Sequence, residues 1–194
     1  RRLEAERLRV REPAGGARLQ FSSQFGPHIH EARPRTATEP LVTAADEKVY
    51  VPAFHVDGQY AQRLIGVNNN ERAGVNWGNG GGWNDATSSV FPDWVQINFN
   101  GSKSIDRVVV YTVQNNYANP SEPTDALTFT QYGITAFDVQ GWNGSAWVTL
   151  ATVSGNNLVK RSVSFAAFTT DRIRVNVTNA LAGYSRLTEI EAWG

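Results

Sequence analysis

Period-two alternation of apolar and polar residues is the feature that most limits how this chain can fold. In Trp94-Val-Gln-Ile-Asn-Phe99 the residues Val95, Ile97 and Phe99 share one face, and in Arg172-Ile-Arg-Val-Asn-Val177 the apolar Ile173, Val175 and Val177 oppose Arg172, Arg174 and Asn176. Successive side chains of a strand point to opposite sides of its sheet, so the pattern suits an antiparallel strand with one buried and one solvated face. The run Ile105 to Val113 is β-branched along most of its length and predicts a strand buried on both faces. Further strands are expected at 134–142, 147–153, 160–165, 172–177 and 189–193. Asn143-Gly144 lies between two of them and is a strong hairpin signal, a type I′ turn wanting positive φ at both central positions. With 17 Gly and 6 Trp beside these valine-rich stretches, the fold class is all-β.

Residues 1–40 read differently. Eight arginines fall there (Arg1, Arg2, Arg7, Arg9, Arg11, Arg18, Arg33 and Arg35), with Pro13, Pro27, Pro34 and Pro40 and few large apolar side chains. This predicts an extended N-terminal arm or linker ahead of a β-sandwich spanning 41–194. Residues 1–11 have the composition of a short helix, which needs a partner to persist in water. Residues 17–25 alternate well enough to serve as an added strand. His28 and His30 have the spacing of solvent-facing strand neighbours.

Composition excludes several chemistries. There is no Cys, so disulfides, zinc-thiolate sites, iron-sulfur clusters and thiol nucleophiles are ruled out. The 18 basic residues balance the 18 acidic ones, leaving no overall field toward nucleic acid or an anionic membrane. No apolar run approaches the roughly 20 residues of a membrane helix, so membrane insertion is not expected. The chain also has no Met, which suggests a processed form or a piece of something larger. No catalytic motif stands out. His55 sits in a strand-like alternation where a structural role fits better than a base, and no Asp or Glu is flanked in a way that suggests a catalytic carboxylate pair. A non-enzymatic role is expected. The sequons at Asn100, Asn143 and Asn176 read as chance in an Asn-rich chain, two of them as plain turns.

What remains is a set of loops rich in aromatic and amide groups. Gly78-Asn-Gly-Gly-Gly-Trp83 opens no helix and is no dinucleotide loop. Trp77 is expected in the core. Trp83 has two readings, a plug for the end of the sandwich or a stacking surface, and it stands beside Asn84 and Asp85. A second loop, 114–131, carries Asn115, Asn116 and Tyr117; a third, 179–186, carries Tyr184 and Arg186. Flat apolar rings beside amide, carboxylate and guanidinium groups are what a sugar requires, since a pyranose has an apolar C–H face and a rim of hydroxyls.

The order of motifs resembles one family. Val56-Asp57-Gly58, Trp77, Pro92-Asp-Trp94-Val-Gln-Ile-Asn-Phe99, Ile105-Asp-Arg-Val-Val-Val110, Phe137-Asp-Val-Gln with Trp147-Val-Thr-Leu150, Asp171-Arg-Ile-Arg-Val175 and the closing Leu187-Thr-Glu-Ile-Glu-Ala-Trp-Gly194 resemble the discoidin family, also called coagulation-factor C-type domains, over 43–194. The resemblance implies a jelly-roll β-sandwich and, as in bacterial members, a non-catalytic carbohydrate-binding module of an extracellular or cell-surface protein. On the loop chemistry given above, the expected glycan contacts are Trp83, Asn84, Asp85, Asn115, Asn116, Tyr117, Tyr184 and Arg186. The resemblance also implies a structural calcium ion held by Asp57 and Glu189, although residues 59–76 form an insertion that departs from the family's pattern. A second reading makes the chain an assembly subunit, in which the arm pairs with another copy by β-augmentation.

Overall fold

The computed structural model describes residues 66–194 together with the backbone of residues 48–50. The expected arm at 1–40, its boundary at 41, His55 and Asp57 lie outside the described residues. The described part contains seven strands: β1 (Lys48–Tyr50), β2 (Trp83–Asn84), β3 (Asp93–Thr112), β4 (Ile134–Trp142), β5 (Trp147–Val153), β6 (Lys160–Ala180) and β7 (Arg186–Trp193).

Two strand pairs expected from the sequence are each one continuous strand. β3 joins 94–99 to 105–113, and β6 joins 160–165 to 172–177. At 20 and 21 residues both far exceed the usual 3–10. They contribute to both layers of the sandwich, because their register breaks between Asn98 and Lys103 and again between Ile105 and Arg107. The first half of β3 and the second half of β6 build one layer, in which residues 93–98 of β3 pair with β1 and with 172–177 of β6, which pairs in turn with β4, and β4 with β5. The second half of β3 and the first half of β6 build the other, where 107–112 of β3 lie between β7 and residues 160–164 of β6, with β2 on the far side of β7.

The core lies between the layers and follows the alternation. Val95, Ile97, Ile173, Val175, Val177, Phe137 and Val139 of one layer meet Val108, Val110, Leu187 and Ile190 of the other in one cluster. Val109 and Tyr111 are buried as well, at 4% and 2% exposure, but they are not part of that cluster and point to the opposite face. This segment is therefore buried on both sides, as its β-branched run predicts.

The hairpin at Asn143-Gly144 differs from expectation. Trp142 pairs with Trp147, which leaves a four-residue connection, and only Gly144 has positive φ, at 101°. Asn143 acts through its side chain: Oδ1 accepts the backbone N–H of Ser145 and Ala146, each at 2.9 Å, which sets the turn without a left-handed Asn. Gly82 is required for a different reason. Its φ is 134°, and a Cβ there would stand 2.7 Å from Trp77 Cζ3 and 2.6 Å from the Leu187 carbonyl oxygen. Trp77, expected in the core, is half-buried against this glycine.

Candidate functional site

The loops that carry the expected site residues meet at one end of the sandwich. Residues 85–90 follow β2, 114–131 connect β3 to β4, and the turn Leu181–Gly183 connects β6 to β7. Their residues divide into those that hold the loops and those that face outward.

Trp83, Asp85 and Asn115 hold the loops. Trp83 pairs with Leu187 and is 4% exposed inside the core cluster, so the plug reading is the correct one and its ring offers no stacking surface. A two-residue strand against β7 turns the indole inward, which is the physical reason for this correction. Asp85 is 1% exposed; its Oδ1 accepts the N–H of Ser185 at 2.5 Å and its Oδ2 that of Thr87 at 3.0 Å, tying the first loop to the third. Both oxygens serve the backbone, so the expected glycan contact of Asp85 gives way to a clamp. Asn115 does the same for the second loop, its Oδ1 accepting from the backbone of Thr130 and Gln131 at 3.0 and 3.1 Å and its Nδ2 donating to Thr130 Oγ1 at 2.9 Å. Asn84 pairs with Arg186 across the strands and donates to the Asp85 carbonyl, while Asn116, which is exposed, donates to the Asn119 carbonyl at 2.8 Å.

Tyr117, Tyr184 and Arg186 remain. The Arg186 guanidinium lies 5.1 Å from the ring centre of Tyr184 and 5.6 Å from that of Tyr132, and Tyr132 meets Tyr117 edge to face at 5.6 Å. Arg186 Nη1 donates to the carbonyls of Leu181 at 3.2 Å and Tyr184 at 3.3 Å, with Tyr132 at 3.5 Å. Its Nε and Nη2 have no hydrogen-bond acceptor among the described residues. Burial pulls the guanidinium pKa down from its ordinary value, with nearby Asp85 opposing. The result is a continuous row, Tyr117, Tyr132, Arg186, Tyr184, with Tyr117 47% exposed at its outer end. Sequence reasoning missed Tyr132. It follows Gln131, to which Asn115 clips the backbone, and that pairing of 115 with 130–131 is not visible in local pattern.

A second cluster surrounds Glu189 on β7. Its carboxylate is 3% exposed, with Oε2 accepting the N–H of Asn69 at 3.1 Å and Oε1 that of Asn70 at 3.0 Å. The insertion after Asp57 thus wraps Glu189. Burial lifts the Glu189 pKa to about 8, and the two N–H bonds pull the other way. On the same turn Glu71 Oε1 accepts the N–H of Gly74 at 3.0 Å, while Glu71 Oε2 is buried with no hydrogen-bond partner. Among the described residues no three His, Asp or Glu gather as a ready cation site. Carboxylate oxygens such as those of Glu189 and Glu71 are the hard donors that calcium takes.

No family model matches the chain, and a search of curated proteins gives no match. Solved structures share the fold. The CBM32-5 module of CpGH89 from Clostridium perfringens, in complex with GalNAc-β-1,3-galactose, superposes with a TM-score of 0.57 at 9% identity, over 79% of this chain and 99% of that one. The family 32 carbohydrate-binding module of NanJ from the same organism, in complex with galactose, gives 0.53 at 13% identity, over 79% and 97%. Chitosan-binding module 1 of a chitosanase/glucanase from Paenibacillus sp. IK-5 gives 0.52 at 17% identity, over 80% and 99%. The β-sandwich of this chain is therefore that of the discoidin-like carbohydrate-binding modules.

Proposed function

We propose that this chain is a non-catalytic carbohydrate-binding module that takes a glycan on the loop end of its sandwich and works outside the cell. The observation that carries the reading is the row Tyr117, Tyr132, Arg186 and Tyr184, drawn from two loops and the first residue of β7. Half-exposed rings offer the C–H face of a sugar a stacking surface, and a guanidinium with free donors between them fixes a hydroxyl by charge-assisted hydrogen bonds. The rest of that end is rigid, since Asp85 and Asn115 clamp all three loops, and a pre-formed site loses little entropy on binding. Modules of the same fold are seen with galactose and with GalNAc-β-1,3-galactose, which favours a galactose-type glycan.

The metal reading is also a proposal. Glu189, Glu71 and loop carbonyls of 67–74 would hold a calcium ion whose charge satisfies the buried carboxylates and pins the insertion to β7; Asp57, the other ligand that the resemblance implies, is outside the described residues. The ion would supply structural cohesion only.

A glycan array followed by calorimetric titration of the best hit tests the binding site. Tyr117→Ala and Tyr184→Ala should each weaken binding by about ten- to a hundredfold, equivalent to about 1–3 kcal/mol. Arg186→Ala should weaken it and also change the order of preferred sugars. Wild-type affinity in all three variants would move the site elsewhere. An array without hits would favour the assembly reading.

A further inference from the structure

The outer face of the second layer carries a groove of about 480 Å³ that neither the loop end nor the Glu189 cluster uses. Its floor follows from strand register. Val109 of β3 lies between Ser162 of β6 and Glu191 of β7, so small and medium side chains leave a depression over the central strand. Longer side chains stand at either end: Arg107 beside Trp193 at one, Tyr111 beside Lys160 at the other, with Arg72 overhead. The volume falls within the range of about 300–1,000 Å³ usual for small-ligand sites.

Charge accounting indicates what would fit there. Arg72 is bound to Glu191 at 2.5 Å and is 3.7 Å from Glu122, and Lys160 holds Asp125 at 2.8 Å. Arg107 alone of the three cations has no carboxylate among the described residues. Its guanidinium lies 4.6 Å from the ring centre of Trp193, and its Nε is shielded from solvent without a hydrogen-bond partner. A half-buried cation on an indole, with an unmet donor, calls for one carboxylate of a ligand that also has an apolar face. The rim discriminates further, since the exposed Glu122 and Asp125 repel a densely charged polyanion such as a nucleic acid or a heavily sulfated chain. A sugar ring bearing a single carboxylate meets both conditions, with the exposed Ser162 hydroxyl as a further polar partner on the floor.

We infer that this groove is a second saccharide site, specific for hexuronate units of an acidic polysaccharide, in which Arg107 pairs with the uronate carboxylate and the half-buried Trp193 provides apolar contact. The site is independent of the loop end, so either can fail without the other.

Calorimetric titration of the full chain with trigalacturonate and with its fully methyl-esterified form tests the inference. Trigalacturonate should bind, more weakly as salt is raised, and the ester should bind at least about tenfold more weakly because the charge-assisted pair is lost. Arg107→Gln should lower trigalacturonate affinity by about tenfold or more, and Arg107→Lys by less. Ser162→Phe, on an exposed floor position, should block the groove while leaving Arg107 in place, so one variant decides if the other misfolds. Arg186→Ala should leave trigalacturonate binding unchanged. The inference is overturned if the wild-type chain binds no trigalacturonate, if folded Arg107→Gln and Ser162→Phe both bind it normally, or if Arg186→Ala abolishes it.

Discussion

At the scale of single residues, the side chains best recognised as polar loop residues turn out to serve two different ends. Asp85 spends its acceptors on one N–H of the third loop and one of its own, Asn115 spends its Oδ1 on the far end of its own loop, and the rings of Tyr117 and Tyr184 with the Arg186 guanidinium make up the candidate surface. Local sequence shows little of this, because apart from Thr87, two residues on, the backbone partners of Asp85 and Asn115 are 100 and 15 or 16 residues away. Glu189 was legible as a candidate metal ligand, but its burial under residues 68–71 was not. That burial gives a pH prediction. With its folded pKa near 8 and its unfolded value near 4.5, Glu189 binds a proton in the folded state that the unfolded chain has released. Without metal, stability should therefore fall as pH rises from about 5 to 8, by an amount on the order of a few kcal/mol, and level off above. Denaturant unfolding in chelator should show this slope in the native chain and lose it in Glu189→Gln. Adding calcium should raise the melting temperature of the native chain and reduce the slope, since a cation favours the charged carboxylate; a melting curve indifferent to both chelator and calcium would remove the metal reading.

At the scale of elements, the alternation placed the strands well, yet it broke β3 and β6 into halves. Residues 100–104 and 166–171 lack a strong apolar period, and the pairs Lys103–Thr170 and Ser104–Thr169 carry the two strands through the layer change. β2 was missed outright, as two residues carry no period at all. It is nonetheless the element that fixes the fate of Trp83. Trp83→Ala should lower unfolding free energy by about 3–5 kcal/mol through the cavity it leaves, while the variant that remains folded keeps glycan affinity within about twofold. A folded variant of unchanged stability and lost binding would return Trp83 to the ligand. On the outer face of the first layer, Arg174 stacks 4.6 Å from Trp147 and 5.9 Å from Trp94, and Arg172 lies 5.5 Å from Trp142. These stacks explain why the polar side of an alternating strand is half-buried here: planar guanidinium and indole groups cover one another.

At the scale of the whole molecule, the core cluster, both layers and the loop end as described are built from residues 48–50 and 66–194. A chain beginning at Leu41 should consequently fold and keep both the glycan affinity and the cooperative melting of the full-length protein, to within a few degrees. Loss of the cooperative transition in that shortened chain, with the longer chain melting cooperatively under the same conditions, would make residues 1–40 part of the domain.

The sequence by itself determined the class of fold, the inward residues of most strands and the three loops that matter, because period-two burial and turn chemistry are local properties. Only the tertiary structure decided which loop residues face out. It placed Tyr132 beside Arg186, buried Trp83 and Asp85, set the N–H groups of Asn69 and Asn70 on Glu189, and left Arg107 over Trp193 without a carboxylate among the described residues. Each of these outcomes depends on contacts between residues far apart in the chain, where the energy of a side chain is set by what the opposing strand or loop presents to it, and no local pattern records that.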